Sequence, residues 1–195
     1  MDLHYNRFKI HLFILIYIIN LIGVIYLDNI TDNIKIQGFT SEIDDVSRTL
    51  KDIDKLKDQC CDGVVIQLID AKGIGGKRHV LQGTIQAIKA FQRGTNLAND
   101  LGIELCIRIS AQRQISKALK VLGLHEGKMD ICVVMIDCPD YFVDELNDMF
   151  SNNDDVFKPD IEYLKGLYNI SDKQFESMYI EDILIDKTTN LTVEI

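Results

Sequence analysis

The sequence predicts an α/β fold: a single domain with a small mixed sheet covered by helices, preceded by an apolar N-terminal helical extension. Past Asn33, short apolar strand patterns alternate with amphipathic helical patterns. Hydrophobic residues make up 47% of the chain, enough to form a buried core. The 2 prolines exclude collagen-like and low-complexity classes, and no internal repeat is visible. The predicted domain covers residues 34–195.

The first 33 residues differ in character from that domain. An uncharged run of 18 residues, from Ile10 to Leu27, lies at the lower limit for a helix that crosses a bilayer. Basic residues precede the run and acidic residues follow it. By the positive-inside rule a membrane-spanning helix with these flanks would keep its N-terminus in the cytoplasm and export the domain with its thiols. Three interpretations stay open: an extension or misplaced translation start, a membrane anchor, and a helix that packs on the core or a partner. We expect a cytoplasmic protein.

The first half of the domain predicts two strands and two helices. The strand patterns cover residues 34–39 and 64–69, and the helical patterns cover 41–58 and 79–93. Ser41 is the expected N-cap of the first helix. A turn that holds three glycines separates the second strand from the second helix.

The second half begins with the clearest period-two pattern in the chain. At 103–110, four aliphatic residues alternate with glutamate, cysteine, arginine and serine, which predicts a strand. A helix over 111–122, ended by Gly123, and a buried strand over 131–136 follow. Three shorter helices are predicted after that, opened by Pro139, by Pro159 and by the capping-box pair Ser171 and Gln174.

Charge is distributed unevenly along the chain. Residues 1–70 carry 7 Lys or Arg against 11 Asp or Glu, residues 71–128 carry 10 against 3, and residues 129–195 carry 4 against 16. The net charge of −9 therefore conceals a basic middle segment, which we expect to face a polyanion while the acidic and apolar parts face protein. Uneven composition without a ligand is the alternative.

The glycine-rich turn resembles a phosphate-binding loop in spacing. Residues 71–77 approach the spacing of that loop, but Arg78 stands where Mg²⁺ coordination requires a Ser or Thr hydroxyl. A nucleotide-binding enzyme that uses the Gly73–Arg78 loop is therefore only an alternative. Lys77, Arg78 and His79 begin the helix, where cations and backbone N–H groups could together bind an external phosphate. They could equally pair with acidic residues such as Asp70.

Further candidate RNA contacts follow in the basic segment. Arg108, Arg113 and Lys117 add positive charge, and Gln112 and Gln114 offer amides that can read the edge of an RNA base. Taken singly, each of these residues also fits a solvated helix surface.

Signatures of catalysis and metal binding are missing from the sequence. There is no H-x-x-x-H pair, no G-x-S-x-G elbow, and no set of Cys and His residues at zinc-finger spacing. We therefore expect neither catalytic nor metal-ligating residues and no cofactor. The five cysteines are expected to be reduced and mostly buried, although the neighbours Cys60 and Cys61 could form a redox pair. These residues favour a binding module over an enzyme.

One long stretch resembles a known family. It runs from GKRHVLQGTIQAIKAF, starting at Gly76, through LANDLGIELCIRISAQRQISKALKVLGL to the strand at Ile131. It is similar to the small kinase-binding subunit of the KEOPS complex, the family that includes TPRKB, and most of all to its archaeal members. The similarity covers residues from Ile34 to the end of the chain and is weaker after Val143. Ala111 departs from the pattern, because archaeal members usually have glycine there.

The resemblance implies a non-catalytic subunit of the machinery that makes threonylcarbamoyl-adenosine in tRNA. Such a subunit binds the small atypical kinase/ATPase subunit, contacts the other KEOPS subunits only indirectly and, in archaeal members, helps to capture tRNA by its 3′ end. From charge and position we assign tRNA binding to eight residues of the basic segment: Lys77, Arg78, His79, Arg108, Gln112, Arg113, Gln114 and Lys117. The expected kinase contacts are apolar residues of the C-terminal helices: Leu164, Leu167, Phe175, Met178 and Tyr179. A membrane-anchored adaptor is the other open alternative.

Overall fold

A four-stranded antiparallel sheet, in the order β2–β3–β1–β4, forms the centre of the domain. The computed structural model describes residues 31–60 and 63–193. The strands are β1 (Ile34–Ile43), β2 (Val65–Asp70), β3 (Gly127–Ile136) and β4 (Ser151–Asn152). The helices are α1 (Val46–Asp58), α2 (Lys77–Arg93), α3 (Leu101–Ile109), α4 (Ile115–Leu122), α5 (Tyr141–Met149), α6 (Ile161–Tyr168), α7 (Asp172–Phe175) and α8 (Ile180–Val193). Short 3₁₀ turns cover Ala71–Gly73 and Asp154–Phe157. The predicted α/β class is confirmed.

From Ile131 to Ile136 the central strand β3 is buried on both faces, which explains the uninterrupted apolar sequence of that stretch. Val133 and Met135 belong to a core shared with α1 and α5. Cys132 and Val134 point the other way, into a core shared with α2, α3 and α4. A third cluster joins α6 to α8 through residues such as Leu164. The sheet is therefore the middle layer between two sets of helices.

The strand predicted at 103–110 is wrong, because these residues form helix α3. All but the first turn of α3 is buried on every side, so no polar surface reveals the helical period. Glu104 and Arg108 lie one turn apart and pair inside the protein, with Nε to Oε1 at 2.8 Å. Ser110 Oγ donates to the carbonyl of Cys106. The polar residues that mimic strand alternation are thus satisfied within the helix.

Several element boundaries also differ from the prediction. β1 continues to Ile43, so Ser41 pairs with Met129 across the sheet and is not a helix cap. Asp45 caps α1 instead, accepting from the N–H of Arg48. The capping box at Ser171 is confirmed, with both of its hydrogen bonds formed.

The uncharged run at 10–27 lies outside the described residues. In the part of the chain that the structure describes, no helix is long and apolar enough to cross a bilayer.

Candidate functional site

The N-terminus of α2 is closed by a carboxylate from α8. Gly76 precedes the helix at φ 135°, which requires glycine, and it offers no side chain as a cap. Glu181 Oε1 accepts from the backbone N–H groups of Arg78 at 2.9 Å and His79 at 3.2 Å. The N–H of Gly75 donates to His79 Nδ1. Three backbone donors that were expected to be available to an external phosphate, those of Gly75, Arg78 and His79, therefore already have internal acceptors, which also disfavours a nucleotide site on this loop.

His79 lies inside the protein and not on the surface predicted for it. Only 1% of the residue is exposed. Burial lowers its pKa to about 4, so the imidazole is neutral near pH 7. Because Nδ1 accepts from Gly75, Nε2 carries the proton and donates to the carbonyl of Ile109 at 2.9 Å. His79 therefore joins the glycine turn to the end of α3 and cannot contact an RNA at the surface.

The two neighbouring cations are exposed but paired with acids from the C-terminal part of the chain. Lys77 Nζ lies 3.1 Å from Asp154 and 4.5 Å from the centre of the Phe157 ring. The Arg78 guanidinium lies 3.1 Å from Asp182 and 3.5 Å from Glu181. The alternative of internal pairing thus holds, although with these acids and not with Asp70. Their positive charge is largely compensated where it was expected to attract phosphate.

Arg108 is also buried, which corrects its placement at an RNA surface. The side chain is 1% exposed and its partner Glu104 is 0% exposed. The second carboxylate oxygen of Glu104 accepts from the N–H groups of Leu97 and Ala98, each at 2.8 Å. The pair therefore fixes the loop that precedes α3.

Four of the predicted RNA contacts do lie close together, at the start of α4. Gln112, Arg113, Gln114 and Lys117 fall within six positions, and we call this group the basic edge. Arg113, Gln114 and Lys117 are exposed, and Gln112 is half-buried. Lys120 is exposed on the same helix. The basic edge thus places several cations at the surface, on a different helix from Lys77 and Arg78.

An apolar groove of about 550 Å³ lies beside that terminus. Its apolar walls consist of Phe157, Pro159, Ile161, Phe175, Tyr179 and Ile180, and its charged rim consists of Lys77, Arg78, Glu181 and Asp182. We call it the docking groove. Tyr179 is 82% exposed, and the adjacent Met178 is 38% exposed. Such a large exposed aromatic side chain is typical of a protein contact site.

Two of the predicted kinase contacts fall elsewhere. Leu164 is 0% exposed and belongs to the core between α6 and α8, so it cannot be a surface anchor. Leu167 is half-buried and lines a different cavity. Phe175, Met178 and Tyr179 lie in or next to the docking groove.

Comparison with known proteins identifies the family. The family described as kinase binding protein CGI-121 matches residues 29–189. The chain belongs to this family. A regulatory protein Cgi121 of Methanocaldococcus jannaschii is 31% identical over 75 residues, which are 38% of this chain and 48% of the relative. A KEOPS complex subunit Cgi121 of Pyrococcus abyssi is 36% identical over 62 residues, which are 32% and 34% of the two chains. The matched segments thus span about half and a third of these relatives.

For this CGI-121 family member, sequence reasoning missed the part played by Glu181. The residue is 103 positions from Arg78, and its carboxylate supplies the anion that the helix N-terminus was expected to take from a ligand. The available signal was the pair of acids that opens α8. Their partner could not be identified without the fold, because acids that open a helix ordinarily serve that helix.

Proposed function

We propose that this chain is an accessory subunit of a KEOPS-type assembly that docks a kinase partner and helps to recruit tRNA for threonylcarbamoyl-adenosine synthesis. The family match over residues 29–189 carries the proposal. The names of the two archaeal relatives, one a regulatory protein and one a KEOPS subunit, support it. The subunit acts by positioning its partners, and the bond chemistry belongs to them.

The docking groove is the proposed kinase contact. Its aromatic and aliphatic walls supply apolar area, and the exposed ring of Tyr179 suits a pocket on the partner. The rim cations are already paired with acids of this chain, Arg78 with Glu181 and Asp182 and Lys77 with Asp154 outside the rim, so the partner need not supply counter-charges to fill the groove. Apolar anchors surrounded by polar groups that already have hydrogen-bond or ion-pair partners are typical of binding hot spots in protein interfaces.

Replacing Tyr179 by alanine tests this contact. We expect the variant to bind the kinase subunit about 30-fold more weakly, corresponding to about 2 kcal/mol for a buried aromatic anchor. Tyr141→Ala is the matched control, because Tyr141 is also an exposed tyrosine (45%) but lies on α5, away from the groove. Isothermal titration calorimetry with the purified kinase subunit measures both. Equal affinity of Tyr179→Ala and wild type would contradict this docking site.

The basic edge is the proposed tRNA contact. Its cations remain exposed, and amides beside them suit unpaired RNA. Phosphate contacts release counterions, so affinity for tRNA should fall steeply with salt. The cations of the α2 terminus contribute less in this proposal, because Asp154, Glu181 and Asp182 compensate them.

Charge reversal at Lys117 tests the RNA contact. The Lys117→Glu variant should bind tRNA several-fold more weakly at low salt, and the slope of log affinity against log salt should decrease by about 1. Lys77→Gln is the control and should change tRNA affinity less than twofold. Filter binding across a salt series measures both variants, and kinase affinity should stay constant. A larger loss of tRNA affinity in the Lys77 variant than in the Lys117 variant would contradict the basic edge and assign the RNA contact to the N-terminus of α2.

A further inference from the structure

Two cysteines lie at the same end of the sheet. Cys60 follows helix α1, and its N–H donates to the carbonyl of Lys57 at 3.0 Å. Shortly after Cys60, Val65 begins β2 and pairs with Ile136, the last residue of β3. Cys138 follows β3, and its Sγ donates to the carbonyl of Val65 at 3.4 Å. The end of α1, the start of β2 and the end of β3 therefore bring the two cysteines into one region.

Both side chains belong to one apolar core. Cys138 is a member of the core that β3 shares with α1 and α5, and Cys60 packs against that core. Burial raises the pKa of the Cys138 thiol, and the charge of a Cys60 thiolate raises it further. Charge interactions weaken with distance, so this one also places the two sulfur atoms near each other. Cys106 and Cys132, by contrast, belong to the opposite core and are 0% exposed.

The two thiols differ in their access to solvent. Cys60 is half-buried, whereas Cys138 is only 8% exposed. An oxidant in solution therefore reaches Cys60 first, and Cys138 lies where a second thiol can resolve the sulfenic acid. The Lys35 ammonium group donates to the carbonyl of Cys138 at 2.9 Å. Its charge lowers the pKa of Cys138 and offsets part of the effect of burial, which favours the attacking thiolate.

We propose that Cys60 and Cys138 form a reversible disulfide under oxidising conditions, which links the end of α1 to the connection between β3 and α5. Hydrogen peroxide is the oxidant: the Cys60 thiol attacks it, giving a sulfenic acid and one water. The Cys138 thiol then attacks the Cys60 sulfur, which forms the S–S bond and releases a second water. The two thiols together lose two electrons and two protons, and peroxide is reduced to water. This pairing differs from the Cys60 and Cys61 pair considered from the sequence.

Peroxide oxidation of the purified full-length chain tests the pairing. The chain is treated with one equivalent of hydrogen peroxide, remaining thiols are alkylated, and unreduced peptides are mapped by mass spectrometry. We expect a peptide pair joined through Cys60 and Cys138 that separates after dithiothreitol is added. The oxidised chain should melt about 5 °C or more above the reduced chain, because the bond closes a long loop and restricts the unfolded state.

Serine variants identify the two partners. Cys60→Ser and Cys138→Ser should each lose both the crosslink and the rise in melting temperature. Cys61→Ser is the matched control and should keep both. Melting of the reduced variants verifies that each one folds. A crosslink that persists in Cys60→Ser, a crosslink that is lost in Cys61→Ser, or a wild-type chain without an internal crosslink would overturn the assignment. A crosslinked chain that melts no higher than the reduced chain would also overturn it, because the bond would then strain the fold.

Discussion

Acidification should destabilise this domain through one residue, His79. Its ring is enclosed between the glycine turn and α3, where Nδ1 accepts from Gly75 and Nε2 donates to Ile109. Burial lowers the pKa of His79 to about 4, against about 6.5 in an unfolded chain. Between these two values the unfolded state binds more protons than the folded state. Stability therefore rises with pH through this window and is lost as pH falls through it.

The size of the effect follows from the two pKa values. The linkage relation gives a loss of about 2 kcal/mol from this single group on going from pH 7.5 to pH 5. The loss reaches about 3 kcal/mol at pH 4. That is a large share of the 5–15 kcal/mol that typically stabilises a domain. Burial also raises the pKa of Asp70, so this residue adds its own pH dependence and the His79 contribution must be isolated by a variant.

The contribution of His79 can be isolated by urea unfolding of wild type and His79→Gln at several pH values between 4.5 and 7.5. Glutamine keeps a polar side chain at the position and cannot gain a proton in this range. We expect the variant to be less stable at pH 7.5, because one hydrogen bond is lost, but to lose about 2 kcal/mol less than wild type on going to pH 5. Parallel stability curves for the two proteins would refute a buried, neutral His79.

Three further predictions concern the fold, the last of them with a control variant. Ala111→Gly should raise stability by up to about 1 kcal/mol, seen as a higher melting temperature, because glycine adopts φ 51° without strain; a lower melting temperature would contradict the left-handed turn. Arg108→Met should cost about 3–5 kcal/mol in urea unfolding, because it leaves the Glu104 carboxylate buried and unpaired; a loss below 1 kcal/mol would contradict that burial. Glu181→Ala should cost about 1 kcal/mol by removing the α2 cap, whereas Asp182→Ala should cost less than half of that.

The sheet could be predicted because its strands carry their own signals. β2 is an apolar run bounded by Gly63 and Asp70, and β3 is an apolar run facing helices on both sides. The capping box at Ser171 needs only local residues, and it formed as predicted. The prediction for α3, which was a strand, failed because the sequence there carries no helical signal. Periodicity reports the contrast between a buried and a solvated face, and a helix buried on every side has no such contrast.

The candidate site was harder to predict because its electrostatics are long-range in sequence. The excess of Lys and Arg in the basic segment is evident from the sequence. However, Lys77 pairs with an acid 77 positions away, and Arg78 pairs with acids 103 and 104 positions away. A count along the chain cannot reveal such pairings. Exposure of the basic edge is likewise a property of packing, since Arg108 and Arg113 look alike in sequence and only the first is buried.

These pairings give the two proposed surfaces different responses to salt. The charges that rim the docking groove are compensated within the chain, so an apolar partner docked there loses little affinity as ionic strength rises. The basic edge carries exposed cations, so RNA bound there should dissociate as the ionic strength rises. One salt titration of a complex that contains kinase, tRNA and this subunit should therefore release the RNA first and leave the protein pair together. Simultaneous release would mean that both partners depend on one charged surface, which is incompatible with a compensated groove and a separate basic edge.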